Sequence, residues 1–293
     1  MTFSNNRTFA AFGILLLVMI TLFSGCSALQ DLANSVQKPR LSVTDMRVSG
    51  FNFNEIELTY DITIENPNAL SLQLDSYNYD FKLNDRTFIQ GQQQENSTIE
   101  ASGKSTLKVP VTLNFQELYQ GIQTLAGADQ ADYEFLSDLT FDLPVLGLTK
   151  IPVSRKGSIP MLNSPSISVN SLKVQNLSLS RADLLLNMEF NNPNAFGIVI
   201  NGFDYGLDIN GDRWAEGESL ANTSIGSKES RQLSIPISLN ITEIGISAYR
   251  LLTGTGELNY SLDGNFNLGT THPLLDQTNL KVDRSGSLPL TGN

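Results

Sequence analysis

Two stretches of this chain hold oxygen ligands at the spacing with which a calcium loop begins, Asp208-x-Asn210-x-Asp212 and Asp263-Gly264-Asn265-x-Asn267. Such a loop needs a glycine at its sixth position for the sharp turn and a bidentate glutamate at its twelfth. The first stretch has Arg213 and Ser219 there, and the second has Leu274 at its twelfth place, so no metal site is assigned. His272 is the single histidine, placed before Pro273 in a polar segment that reads as a surface loop. A nucleophile–histidine pair would have to use it, and the single cysteine, Cys26, lies outside both long repeats described below. Neither glycine-rich phosphate cradle, G-x-x-x-x-G-K-[ST] or G-x-G-x-x-G, occurs. Acid pairs for glycoside hydrolysis have many candidate carboxylates, but these fall on alternating outer strand faces and in turns, where solvation accounts for them. The reading is of a non-catalytic chain with no metal and no cofactor.

Cys26 suits a different chemistry. Ile14-Leu15-Leu16-Leu17-Val18-Met19-Ile20-Thr21-Leu22-Phe23 is a short apolar run after a polar start with one cation, Arg7, and Ser24-Gly25 follow it. That order is a secretory signal, and the run is too short for a comfortable span of about 20 apolar residues. Leu22-Phe23-Ser24-Gly25-Cys26 resembles a bacterial lipobox, with Phe23 where leucine is usual, so Cys26 is expected to become a lipidated N-terminus. One cysteine also excludes an internal disulfide. Residues 1–25 are thus the expected signal and 26–38 a tether. Ser27, in place of aspartate, resembles the enterobacterial sorting pattern that implies the outer membrane, facing the periplasm, over the inner. The charge of −11 becomes −12 without Arg7 (18 − 30), which argues against nucleic acid and against docking on anionic lipid.

Asn66-Pro67-Asn68 returns as Asn192-Pro193-Asn194, 126 residues on. Pro39 and Pro165, Tyr79 and Tyr205, and Val109-Pro110-Val111 and Ile235-Pro236-Ile237 keep the same spacing. Gly157-Ser158-Ile159-Pro160 matches Gly286-Ser287-Leu288-Pro289 at 129, so three net residues entered the second copy. The chain is therefore two copies of one domain, 39–162 and 163–293, each long enough to bury its own core. The tripeptide itself reads as a strand exit. Proline removes a ladder donor and holds the preceding residue extended, while the asparagine side chains bond nearby backbone.

Around these landmarks the pattern is that of strands. Ile56, Leu58, Tyr60, Ile62 and Ile64 alternate with polar residues over Glu55–Glu65. Leu41, Val43, Met46 and Val48 suggest a shorter strand before it. After Leu74 the phase slips at Asp75-Ser76 and resumes at Tyr77, as at a β-bulge. Asn84-Asp85 and Asn210-Gly211 read as hairpin turns. Pro110 and Pro236 place their strands at sheet edges. One capped helix per copy is expected, started by Asn114 with Glu117 and by Asn240 with Glu243; apolar residues run to Leu125 and Leu251. The fold class is all-β, two tandem antiparallel sandwiches of about seven strands each, immunoglobulin- or fibronectin-III-like.

An Asn-Pro-Asn closing an alternating strand, Ile62-Thr63-Ile64-Glu65-Asn66-Pro67-Asn68 and Met188-Glu189-Phe190-Asn191-Asn192-Pro193-Asn194, then a hairpin and a short helix, resembles the late embryogenesis abundant type 2 family with its water stress and hypersensitive response domain. The resemblance covers both repeats and implies folded sandwiches that protect proteins or membranes under water or temperature stress. The partners expected are the membrane, through the lipid anchor, and either stress-labile clients or an envelope protein bound along a free sheet edge.

Overall fold

The computed structural model describes residues 36–122, 125, 127–144, 146–219, 222–254 and 257–291. They form an all-β, two-domain protein. The first copy contains β1 (Arg40–Phe51), β2 (Glu55–Glu65), β3 (Leu72–Leu83), β4 (Arg86–Ile99), β5 (Lys104–Asn114), helix α1 (Phe115–Gly121), β6 (Gln130–Leu143) and β7 (Gly147–Pro160). The second contains β8 (Ser166–Leu177), β9 (Arg181–Asn191), β10 (Ile198–Ile209), β11 (Asp212–Ser219), β12 (Thr223–Ile225), β13 (Ser230–Asn240), helices α2 (Ile241–Ile244) and α3 (Ile246–Leu252), β14 (Glu257–Thr270) and β15 (Gln277–Thr291).

The sheet orders repeat. In the first copy a three-stranded sheet runs β1-β2-β5 and a four-stranded one β4-β3-β6-β7. In the second the corresponding orders are β8-β9-β13 and β11-β10-β14-β15, with β12 beside β10. These two sheets join into one path through a two-residue parallel contact, Leu290 opposite Leu172 and Thr291 opposite Lys173, a departure from the purely antiparallel expectation. By proximity the described chain divides into two compact units, one within 36–46, 59–111 and 132–158 and the other within 47–58, 112–131 and 159–291.

Strand periodicity sets which residues form the core. Ile56, Leu58, Tyr60, Ile62 and Ile64 of β2, and Ala182, Leu184, Leu186, Met188 and Phe190 of β9, are all at most 1% exposed. Each large apolar side chain so buried contributes about 1.5–3 kcal/mol. In the first copy Tyr60 stacks on Phe135 with ring centroids 4.1 Å apart, and Phe81 stacks on Tyr133 at 5.7 Å. The second copy has Leu186 in place of Tyr60 and stacks Phe203 on Phe266 at 4.7 Å instead.

The bulge falls where the phase slips: β3 shifts register between Leu74 and Ser76 against both β4 and β6, and β10 shifts between Ile200 and Gly202, the same positions 126 residues on. Both hairpin turns have two consecutive positive φ angles, Asn84 at 47° and Asp85 at 63°, Asn210 at 51° and Gly211 at 91°. That backbone matches the right-handed twist of the strands it joins. The strands bearing Pro110 and Pro236 are the outermost of their three-stranded sheets. β1 is longer than its apolar residues suggest, because its exposed positions also join the ladder.

The helices differ from expectation. Asn114 Oδ1 accepts from Glu117 N at 3.1 Å and starts α1, but the helix stops at Gly121 and Leu125 lies beyond it, fully buried in a separate turn. In the second copy the single expected helix is two. Gly245, at φ 103° and ψ 162°, donates to Ile241 O and leaves the helical region between them. Only glycine takes that backbone without strain.

Candidate functional site: the Asn-Pro-Asn knots

Each tripeptide leaves its strand (β2 or β9) and folds its two asparagine side chains inward. Asn66 and Asn192 are 1% and 0% exposed, Asn68 and Asn194 8% and 1%. Proline ends the ladder, and the asparagines then supply the partners that a buried loop backbone needs.

The hydrogen bonding is the same in both. Asn66 Nδ2 donates to Leu70 O at 2.8 Å and Glu100 O at 3.0 Å; Asn192 Nδ2 donates to Phe196 O and Gly226 O, both at 2.8 Å. The Oδ1 of each accepts from the backbone N–H of the second asparagine, at 2.9 Å and 3.0 Å. The second asparagine reaches the chain entering its domain. Asn68 Oδ1 accepts from Gln37 N and its Nδ2 donates to Gln37 O, both at 2.8 Å. Asn194 does the same with Asn163, at 2.8 Å and 2.9 Å. A turn residue with left-handed backbone closes each knot: Ser102 N donates to Asn68 O and Lys228 N to Asn194 O.

Every asparagine amide hydrogen therefore has a partner inside the knot. The arrangement pins three segments together, the strand exit, the loop before the next three-stranded-sheet strand, and the entering chain. Gln37 and Asn163 are 126 residues apart, yet sequence comparison passes over them. They contribute only backbone groups, so nothing selects their side chains; the signal available was their distance of two residues from the matched Pro39 and Pro165.

The other candidates resolve separately. Cys26 lies outside the described residues. Arg213, the residue that breaks the calcium pattern, bridges both calcium-like stretches: its Nε is 2.8 Å from Asp208 Oδ1 and its Nη1 2.9 Å from Asp263 Oδ1. A guanidinium stands where a metal would be needed. Among the described residues no group of three or more His, Cys, Asp or Glu could hold a metal ion. His272 is in a loop but is half-buried, edge-on to Phe196, with Nδ1 accepting from Leu274 N at 3.2 Å. Burial pushes its pKa below the ordinary range. Glu134 sits between Lys156 at 3.0 Å and Lys82 at 3.7 Å, and its pKa is lowered, chiefly by the hydrogen bond from Lys156. Hydrogen bonds from Arg181 and then Ser238 likewise lower that of Asp183.

A family described as late embryogenesis abundant protein, LEA_2, matches residues 61–157 and again 187–285, one match for each knot-bearing sandwich. The chain belongs to the LEA_2 family. Late embryogenesis abundant protein Lea14-A of Gossypium hirsutum is 28% identical over 131 residues, 45% of this LEA_2 chain and 87% of the cotton protein. The probable desiccation-related protein LEA14 of Arabidopsis thaliana gives the same values. Among solved structures, an Arabidopsis thaliana solution structure is 27% identical, with 44% of this chain and 85% of that one covered and a TM-score of 0.37. A crystal structure of an Archaeoglobus fulgidus protein is 14% identical, with 41% and 97% covered and a TM-score of 0.35.

Proposed function

We propose that this LEA_2 protein is a non-catalytic lipoprotein of the bacterial cell envelope that protects proteins or membranes during drying or cold. The observation that carries the reading is that both sandwiches match a family several of whose relatives are named for desiccation. Lea14-A aligns over most of its own length with less than half of this chain, so the tandem offers the protective unit twice. The knots support it as well, since their polar groups are satisfied internally and serve to hold the sandwich rather than a substrate. Cys26 after an apolar run supplies the anchor, and the net charge of −12 without the signal keeps the domains hydrated and gives them no electrostatic attraction to anionic lipid. The test is retention of a labile enzyme's activity after repeated freezing or drying beside the purified protein, against an equal mass of albumin. Protection beyond that of albumin is expected; equality removes the reading.

A further inference from the structure

Five large hydrophobic residues are exposed in the described chain, Leu70, Leu146, Leu148, Leu179 and Ile246, and three of them stand at one end of the first sandwich. Leu70 follows the first knot and is 51% exposed; Leu146 and Leu148, in the turn and strand after β6, are 46% and 68% exposed. Gln73 of β3 lies opposite Asp142 of β6, which brings the loop before β3 to the turn after β6. Between them is a hollow of about 350 Å³ lined by Val36, Pro67, Asn68, Ala69, Leu70, Leu72 and Pro144, and Leu146 N donates to Pro144 O at its rim. Singly exposed leucines are ordinary, whereas Leu70 in the wall of an apolar hollow, with Leu146 and Leu148 two and four residues past Pro144 of the same wall, makes this end an apolar patch.

The second sandwich treats the same place differently. Phe196 stands where the first has Leu70, and it is 7% exposed. The loop after β14, which holds two of the three extra residues of the second copy, covers it: His272 lies edge-on to its ring, and Leu275 is 4% exposed. One copy closes this end with its own chain and the other leaves it apolar and open.

The open end is also where the tether arrives. Val36 lines the hollow, and Gln37 is clamped by Asn68. Nine residues, Ser27 to Ser35, separate Val36 from Cys26. Ten virtual bonds extend at most about 35 Å, roughly the thickness of a bilayer's hydrocarbon core. We infer that the Leu70–Leu146–Leu148 end is a lipid-facing surface that seats the first sandwich on the bilayer to which Cys26 is anchored. The occupant is the acyl–headgroup boundary itself. The chain from Cys26 onward, with net charge −12, is not drawn there by anionic headgroups, so the contact is apolar. This inference rests on the anchor proposed above.

The test does not depend on cellular acylation. The chain from Cys26 onward holds every described residue, and its one thiol is coupled to maleimide-bearing lipid in phosphatidylcholine vesicles. With the single tryptophan removed by Trp214→Phe, Leu148→Trp is the reporter, and Leu179→Trp, at an equally exposed leucine outside the patch (69%), is the control. On tethering, the Leu148→Trp emission shifts to the blue and is quenched by brominated acyl chains, while the Leu179→Trp emission does neither. Adding Leu70→Asp and Leu146→Asp, both at exposed positions, abolishes the quenching with the far-ultraviolet dichroism unchanged. Equal behaviour of reporter and control, or quenching that survives the aspartates, overturns the inference. So does a blue shift that grows with protein concentration without vesicles, which assigns the patch to a second copy of the chain. Lipidation is scored apart, by the mass of the full-length protein from bacterial membranes, so failure of the anchor and failure of the seat are told apart.

Discussion

Replacing Asn192 by alanine deletes four hydrogen bonds at a side chain with no exposure. Phe196 O and Gly226 O lose their amide donor, and Asn194 loses the acceptor of both its N–H and its Nδ2. The contacts to Phe196 O and from Asn194 N are fully buried, so water cannot replace them. Each buried polar group left unpaired costs about 1–3 kcal/mol, which puts the substitution near ~4 kcal/mol. That is a large share of the roughly 5–15 kcal/mol by which a domain is stable. With a urea dependence of about 2 kcal/mol per molar for a domain of this size, the unfolding midpoint falls by ~2 M. Trp214, the single tryptophan, lies on β11 of the same copy and is 6% exposed, so its fluorescence reports this unfolding alone. Asn192→Asp keeps the shape and acceptor but sets a carboxylate against two carbonyl oxygens, and it is expected to be at least as damaging. A midpoint shift below ~0.5 M for Asn192→Ala, worth about 1 kcal/mol by the same slope, refutes the knot as the fastening of the loop.

Two further outcomes are expected. The Tyr60 hydroxyl is fully buried and makes no well-formed hydrogen bond, with only the Tyr133 side chain beside it, and burial, followed by that neighbouring tyrosine, pushes its ionisation above the ordinary phenol range. A group whose folded pKa is raised contributes stability that is complete below its unfolded pKa, about 10, and lost as pH rises past it. Tyr60→Phe should therefore gain about 1 kcal/mol near neutral pH and lose less than the wild type in base, seen as a Tm higher by a few degrees; a lower Tm at pH 7 counts against the unpartnered hydroxyl. Cys26→Ser should move the protein from the membrane to the soluble fraction or leave it unprocessed, because two or more acyl chains are needed for stable attachment. A processed variant that stays with the membrane excludes lipidation at Cys26.

How far the sequence could be read depended on whether a side chain is selected for its own contacts. The alternation of Ile56 to Ile64 marks β2, since each second residue must enter the core. The slip at Asp75-Ser76 marks the bulge, and Pro110 marks an edge strand, because it cannot donate to a ladder. The break in the second helix was less plain: Asn240 and the apolar spacing of Ile241, Ile244 and Ala248 suit one helix, and only the positive φ of Gly245 divides it. The knots were half legible. The asparagines announce themselves by repetition, whereas Gln37 and Asn163 do not, because what each offers is a peptide group common to every residue.

By itself the sequence determined the duplication, the strand periodicity, the hairpin turns and the tripeptide at each strand exit, all of which are local in the chain or repeated along it. Tertiary structure alone decided that Arg213 joins Asp208 to Asp263, 55 positions apart in sequence, and so fills with one guanidinium what reads as two calcium-like fragments. It also decided that the two copies diverge at one end, where a longer loop carrying His272 covers Phe196 in one while Leu70 stays open in the other. Such pairings depend on which strands become neighbours after the sheets fold together, and spacing along the chain does not encode them.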